Sequence, residues 1–180
     1  MQLQHRLVLM ASLWLAVIAP VAAAESNAGC AATTGGMREI IECARAAFGL
    51  ACDDGQSNPE DLVPPIDGPI TLRFGEATPY GGKSHGLVYQ GRDGLPILAP
   101  ISGMVTFAGE YRSYGPLLII DACHQIAQIA GAASFRSSPG TSVKAGNAIG
   151  SIHTAGGSSA ELYFELRDEK GAIEPRGLAR

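Results

Sequence analysis

The segment Ser159–Arg167 alternates strictly between apolar and polar side chains. Its apolar positions are Leu162, Phe164 and Leu166. Its polar positions are Glu161, Tyr163, Glu165 and Arg167. Because successive side chains of a strand point to opposite faces, this period of two predicts a strand with one face in a core. The second face is either a solvated surface with cross-strand ion pairs or part of a functional site.

Residues 1–24 have the pattern of a secretory signal peptide. Arg6 precedes the apolar run 7–21, and three alanines then lead to Glu25. The run is too short for a transmembrane helix, which needs about 20 residues. We therefore expect cleavage near Ala24 and a periplasmic or secreted protein without a stable membrane anchor.

Charge and cysteine content narrow the classes of function. Loss of Arg6 with the leader leaves 12 Lys and Arg against 17 Asp and Glu, which changes the net charge from −4 to −5. The chain has no basic run, which argues against a nucleic-acid partner. Disulfides are expected in an exported chain, and the candidates are Cys30, Cys43, Cys52 and Cys123.

Residues 25–52 form a cysteine-containing tail with one predicted helix. Apolar side chains recur there at helical spacing on a single stripe: Met37, Ile40, Ile41, Ala44 and Phe48. Gly49 is a plausible stop. Three of the four cysteines lie in this tail, so pairing of all four within the chain requires one bridge from the tail to Cys123.

Residues 53–68 are acidic and rich in proline, which is typical of a linker. From residue 69 to 180 the pattern changes to short apolar segments separated by Gly and Pro. The predicted strands are Ile70–Phe74, Gly86–Tyr89, Leu98–Ala99, Gly103–Ala108, Leu117–Asp121, Ile126–Ala130, Ala148–Ile152 and Glu161–Leu166. The sequence thus predicts a mainly β chain, an antiparallel sandwich or barrel with one short N-terminal helix.

Five segments of the β domain resemble the lysostaphin/LytM-type zinc endopeptidases, in the same order along the chain. They are Thr71–Glu76, Leu95–Gly109, Tyr114–Asp121, Val143–Gly150 and a late proline, Pro175. The alternating segment is similar to the last active-site strand of that family, His-Leu-His-Phe-Glu, with both histidines replaced. The resemblance covers the chain from about residue 68 to its end and implies a LytM-like domain.

The resemblance also implies where a metal site would lie. Aligned on Gly86, the family's first His and its Asp fall on Ser84 and Val88. The middle His falls on Gly131, and the last two fall on Glu161 and Tyr163. A hydrolytic zinc needs about three protein ligands and an open position for water. Since Val88 and Gly131 have no side-chain donor atom, we expect no metal cofactor and no catalytic residue.

A rearranged zinc site is the alternative interpretation. It would use His85, His153 and Glu161, but spacing alone does not specify such a site. A shift of one residue along a strand also turns a side chain to the other face, so His85 would need a bulge to reach the groove.

The alternating strand is most similar to the non-catalytic branch of the family, the murein hydrolase activators of the EnvC type. That resemblance implies a periplasmic domain that binds peptidoglycan, a peptidoglycan hydrolase such as an amidase, or both. The expected binding groove consists of the substituted positions together with Arg167: Ser84, Val88, Gly131, Glu161, Tyr163 and Arg167.

Cleavage of the leader has a simple spectroscopic consequence. Trp14 is the only tryptophan and lies in the proposed signal peptide. The mature protein should therefore begin near Glu25 by intact mass and show tyrosine fluorescence alone. Tryptophan emission from purified exported protein would show that the leader is retained.

Overall fold

The computed structural model describes Cys30 and residues 36–50 and 62–178. Helix α1 spans Met37–Phe48. The strands are β1 Ile70–Leu72, β2 Leu87–Gly91, β3 Pro96–Leu98, β4 Gly103–Glu110, β5 Pro116–Asp121, β6 Ile126–Gly131, β7 Ala133–Phe135, β8 Ser142–Val143, β9 Ala148–Ile152, β10 Ala160–Asp168 and β11 Gly171–Ile173. The proposed leader, residues 1–24, lies outside the described residues.

Two antiparallel sheets form the domain. The larger has the order β1-β2-β10-β6-β5-β4-β8, with β11 added to β10, and the smaller has the order β3-β9-β7. Apolar side chains from both sheets meet in one core, including Leu87, Ile129, Ile149, Leu162 and Phe164, each 0% exposed. The predicted mainly β antiparallel fold with one helix is confirmed.

All eight predicted strands are present, and none of their ends moves by more than two residues. Three further strands, β7, β8 and β11, were not predicted from the sequence. Each has two or three residues, which is too short to display an alternating pattern.

The last part of the predicted linker packs against the β domain. Ile66 is 1% exposed and belongs to the core. The carbonyl of Pro65 accepts a hydrogen bond from the backbone N–H of Leu98 at 2.8 Å. Residues 53–61, the rest of the predicted linker, lie outside the described residues.

Helix α1 has the bounds that its apolar stripe predicts. Gly49 ends it in the left-handed region, at φ 63°, where a residue without a side chain is favoured. Ile40 and Ile41 pack on the outer face of the large sheet, against Phe107, Leu117, Ile119 and Ala130. The helix thus buries its stripe on the sheet, as an isolated amphipathic helix of 12 residues must.

A buried ion pair fixes the end of α1 to the sheet. The side chain of Asp121, at the end of β5, is 0% exposed. Arg45 donates to both of its carboxylate oxygens, at 2.6 and 2.9 Å, and to the carbonyl of Cys123 at 2.8 Å. The backbone N–H of Cys123 donates to the same carboxylate. Hydrogen bonding to Asp121 raises the pKa of Arg45 above its usual value.

One disulfide lies within the tail, and a cysteine of the β domain also forms a disulfide. Cys30 is bonded to Cys43, with Cα atoms 5.7 Å apart, and Cys123 is also in a disulfide. The fourth candidate, Cys52, lies outside the described residues. Within the described ranges, no helix has both the length and the apolarity needed to cross a bilayer.

We predict that Asp121→Asn lowers the free energy of unfolding by about 2–4 kcal/mol, because a partly buried guanidinium loses its counter-charge. The matched control is Glu42→Gln, which makes the same acid-to-amide change in the exposed Arg38–Glu42 pair, with N and O 3.7 Å apart. That change should cost less than about 1 kcal/mol. Denaturant unfolding of both variants measures the difference. Equal costs would mean that the Arg45 contact contributes no more than a surface pair.

Candidate functional site

The register of the large sheet places four members of the predicted groove on its outer face: Val88, Glu161, Tyr163 and Arg167. Gly131 is paired with Leu162, whose side chain points into the core, so it does not share that face as predicted. Tyr163 of β10 lies between Val88 of β2 and Ala130 of β6. Glu165 is paired with Gln128, and Arg167 is flanked by Ile126 and Ala172. The intervening residues of β10 point into the core, so these polar side chains share the face on which α1 packs.

The ring of Tyr163 covers the backbone between two predicted ligand positions. Gly86 stands midway between Ser84 and Val88, and a Cβ atom there would lie 3.0 Å from Cε2 of Tyr163. It would also lie 2.2 Å from the carbonyl oxygen of Phe164. Gly86 is therefore required for close packing, and the aromatic ring fills the space above it.

Ser84 is occupied by local hydrogen bonds. The residue is 5% exposed, and its Oγ donates to the carbonyl of Gly86 at 2.9 Å. Its backbone N–H donates to Glu76, and its carbonyl accepts from Gly75. The hydroxyl thus supports the turn before β2 and does not point to a shared metal position.

Tyr163, Glu165 and Arg167 form a hydrogen-bonded ladder along β10. The phenol of Tyr163 donates to Oε2 of Glu165 at 2.5 Å, and Arg167 donates to Oε1. The carboxylate is buried, with Glu165 4% exposed. Burial, followed by the hydrogen bond to Glu165, raises the pKa of Tyr163 far above its usual value. Tyr163 is accordingly a neutral donor and a poor metal ligand.

The backbone at Gly131 has no room for a histidine side chain. Its φ is 118°, and a Cβ atom would lie 2.6 Å from the carbonyl oxygen of Glu161. Any larger residue would be strained at this conformation and would strike the backbone of β10. Glu161 itself is exposed and pairs in register with Gln90.

The structure does not bring the rearranged zinc ligands together. Gly86 packs against Phe164, so His85 lies beside the middle of β10, several residues along the strand from Glu161. At about 3.3 Å per residue that separation exceeds 10 Å. His153 is exposed, with Nδ1 3.8 Å from Oδ1 of Asp93. Among the described residues, no three His, Cys, Asp or Glu side chains are grouped to hold a metal ion. The donor set therefore does not fit the zinc that the resemblance implies.

A cavity of 910 Å³ lies farther along β10, between α1 and the turn that joins β10 to β11. We call it the α1–β10 cleft. Arg167 is the only member of the predicted groove that lines it. Gln128 and Glu165 form its floor, and sequence reasoning left both out of the predicted site. The alternation of β10 marks Glu165 as outward-facing, but the pattern does not indicate that the residue is buried, at 4% exposed.

Comparison with known proteins gives one family and several relatives. The family described as Peptidase family M23 matches residues 82–175, slightly more than half of the chain. Murein hydrolase activator NlpD of Salmonella typhimurium is 31% identical over 115 residues, 62% of this chain and 29% of its own. Murein hydrolase activator EnvC of Escherichia coli is 28% identical over 114 residues, 62% of this chain and 27% of its own.

Solved structures agree with these matches at the level of the fold. The catalytic domain of the antimicrobial peptidase lysostaphin from Staphylococcus simulans superposes with a TM-score of 0.54 at 21% identity. The superposition covers 61% of this chain and 90% of that chain. The resemblance to LytM-type domains is confirmed, whereas the chain spans only about three tenths of the length of the activators that it matches.

We predict that the protein, purified without chelator, contains well under one zinc per chain by elemental analysis. The physical reason is that Val88 has no donor atom, while the side chains of Ser84 and Tyr163 are already hydrogen-bonded. Stoichiometric zinc that disappears in His85→Ala or Glu161→Ala would establish the rearranged site instead. Lys144→Ala, at an exposed position of the loop before β9, is the control.

Proposed function

Because the chain belongs to peptidase family M23, we propose that it is an exported, non-catalytic member that binds a peptidoglycan hydrolase and activates it. The hydrolase is a cell-wall amidase in this proposal. The observation that most supports this proposal is that the Tyr163 ring lies over Gly86. Gly86 stands between Ser84 and Val88, the positions of the family's first His and its Asp. A peptidase of this kind cannot assemble a hydrolytic zinc from such residues.

The names of the matched relatives support the same proposal. NlpD and EnvC are both described as murein hydrolase activators. An envelope location follows for this chain if it acts on the same kind of partner, and the predicted leader fits that location. Since only a fraction of each activator is matched, the partner and the activation step are part of the proposal.

The chemistry of the predicted groove suits recognition. Val88 is partly exposed on one side of Tyr163, and the small, buried Ala130 lies on the other, so the face on both sides of the ring is apolar. Aromatic residues at the centre of such faces often dominate binding energy. We propose that the partner's segment contacts the exposed edge of the Tyr163 ring, while Glu161 and Arg167 set its register by charge.

We predict that Tyr163→Ala weakens binding to a purified amidase by about 2 kcal/mol or more. Tyr163→Phe is the matched control, because both variants lose the hydrogen bond to Glu165 but only the first loses the ring. The phenylalanine variant should keep most of the affinity and of the amidase activation. Val88→Asp, which places a carboxylate beside Tyr163, should weaken binding as well.

Titration by interferometry and an amidase assay on purified peptidoglycan measure these effects, with thermal unfolding as a check on folding. If Tyr163→Ala and Val88→Asp both bind and activate as wild type does, the groove is not the interface. Release of cross-link peptides by the protein alone would contradict the non-catalytic assignment.

A further inference from the structure

We propose that the α1–β10 cleft binds an uncharged saccharide, with one sugar ring packed against Tyr114. The occupant is the glycan strand of peptidoglycan, and the stem peptides of that polymer take no part in the contact. The cleft shares only Arg167 with the predicted groove, so the inference goes beyond binding of the hydrolase. It rests on the proposed function only for the envelope location of the chain, where such a strand is present.

The cleft has two tyrosines in its lining. Tyr111 and Tyr114 both belong to the segment that joins β4 to β5. Their ring centroids lie 6.2 Å apart, and Phe107 packs edge-on against Tyr111 at 5.9 Å. Tyr114 is 47% exposed, which is unusual for so large an aromatic residue. A half-exposed tyrosine offers a ligand both an apolar ring and a phenol that forms hydrogen bonds.

The turn that carries Tyr114 is held in one shape. The backbone N–H of Tyr111 donates to the carbonyl of Gly115 at 2.9 Å, and that of Tyr114 donates to the carbonyl of Tyr111 at 3.0 Å. The guanidinium of Arg112 lies over the Tyr111 ring, 5.2 Å from its centroid. Arg112 has a φ of 46°, in the left-handed region, and residues held in such conformations are concentrated at functional sites. A ring on a constrained turn loses little entropy when a ligand binds.

The cleft carries no net charge. Its lining has five Lys and Arg against four Asp and Glu, and one of the five, Arg45, is paired with the buried carboxylate of Asp121. With Asp121 counted, five negative groups balance the five positive ones. A polyanion such as a nucleic acid gains nothing from a field of this kind. The balance favours an uncharged ligand.

Donors and acceptors are both exposed in the cleft. Glu42 and Glu169 supply carboxylate acceptors, and Lys170 supplies ammonium donors. The side-chain amide of Gln128, on the floor, carries groups of both kinds. A hydroxyl donates one hydrogen bond and accepts others, so each hydroxyl of a sugar can use either kind of partner. This mixture beside an aromatic ring matches a sugar, which has polar edges and an apolar face.

The size and position of the cleft place a glycan segment beside the hydrolase. Its volume of 910 Å³ lies within the range of about 300–1,000 Å³ that is typical of ligand sites. Burial, Glu165 and then Tyr114 raise the pKa of Tyr163, which requires the two phenols to lie near each other. Arg167 lines the cleft and also belongs to the predicted groove. A strand in the cleft would therefore lie next to a hydrolase that is bound over Tyr163.

The test measures binding of chitotetraose, an uncharged chain of N-acetylglucosamine, to the purified protein by isothermal titration calorimetry. Tyr114→Ala should weaken binding about tenfold, because the contact between the ring and the sugar is lost. Tyr114→Phe keeps the ring and should keep most of the affinity. Tyr80→Ala is the matched control, because Tyr80 is 99% exposed and does not line the cleft. It should bind as wild type does, and thermal unfolding checks that each variant is folded.

Two further measurements identify the chemistry of the ligand. The affinity for chitotetraose should be the same at low and at high salt, since the ligand carries no charge. Glycan strands freed of their stem peptides should compete with chitotetraose, whereas stem peptides alone should not. Competition by the stem peptides alone would assign the cleft to a peptide and overturn the inference.

The outcomes separate this inference from the proposed function. If neither chitotetraose nor the glycan strands bind, or if Tyr114→Ala binds as tightly as wild type, the inference is wrong, and activation of an amidase still decides the proposed function. If Tyr80→Ala weakens binding as much as Tyr114→Ala does, the contact is not specific to the cleft and the inference is also wrong. If the sugar binds as expected and no amidase is activated, the proposed function fails while the cleft remains a saccharide site.

Discussion

Strand β10 is the constraint on which the rest of the structure depends. It is hydrogen-bonded to β2, β6 and β11, so its register sets the position of side chains on three other strands. Because its alternation is strict, fixing Leu162, Phe164 and Leu166 in the core also fixes the opposite face. A slip of one residue would place Tyr163 and a carboxylate inside the core, which is costly for unpaired polar groups. The candidate site is thus a direct consequence of how the core packs.

Most of the fold could be predicted because its elements carry local patterns. Alternation of apolar and polar side chains predicted β10. An apolar stripe at helical spacing, followed by Gly49, predicted α1. The identity of the site positions could be predicted only through a family resemblance. The hydrogen-bond partners of the side chains could not be predicted from the sequence. The phenol of Tyr163 donates to Glu165, and the hydroxyl of Ser84 donates to the carbonyl of Gly86 within its own turn. Such contacts depend on rotamers and on burial, which spacing does not encode.

The position of α1 depends on a contact that local patterns cannot reveal. Arg45 and Asp121 are 76 residues apart in the chain, yet they form two hydrogen bonds in the structure. Asp121 is fully buried, so its charge requires a partner, and Arg45 supplies it from the last turn of α1. The same guanidinium bonds the carbonyl of Cys123, which is in a disulfide. The Arg45–Asp121 ion pair and the disulfide of Cys123 therefore lie side by side at the end of α1. Together they fix the position of the helix that forms one wall of the α1–β10 cleft.

The ladder along β10 explains how this face remains stable without help from a cation. A buried carboxylate must be paired, and Glu165 is bonded by a neutral phenol on one side and a guanidinium on the other. The charges of Glu165 and Arg167 cancel, and burial keeps the phenol of Tyr163 protonated. The charges within the ladder therefore balance, and the carboxylate of Glu161, which is exposed to solvent, lies on the same face outside the ladder. The other exposed features of this face are the edge of the Tyr163 ring and the N–H groups of Arg167 that do not bond Glu165, which the proposed function assigns to binding of the partner, and an open cleft lies beside them.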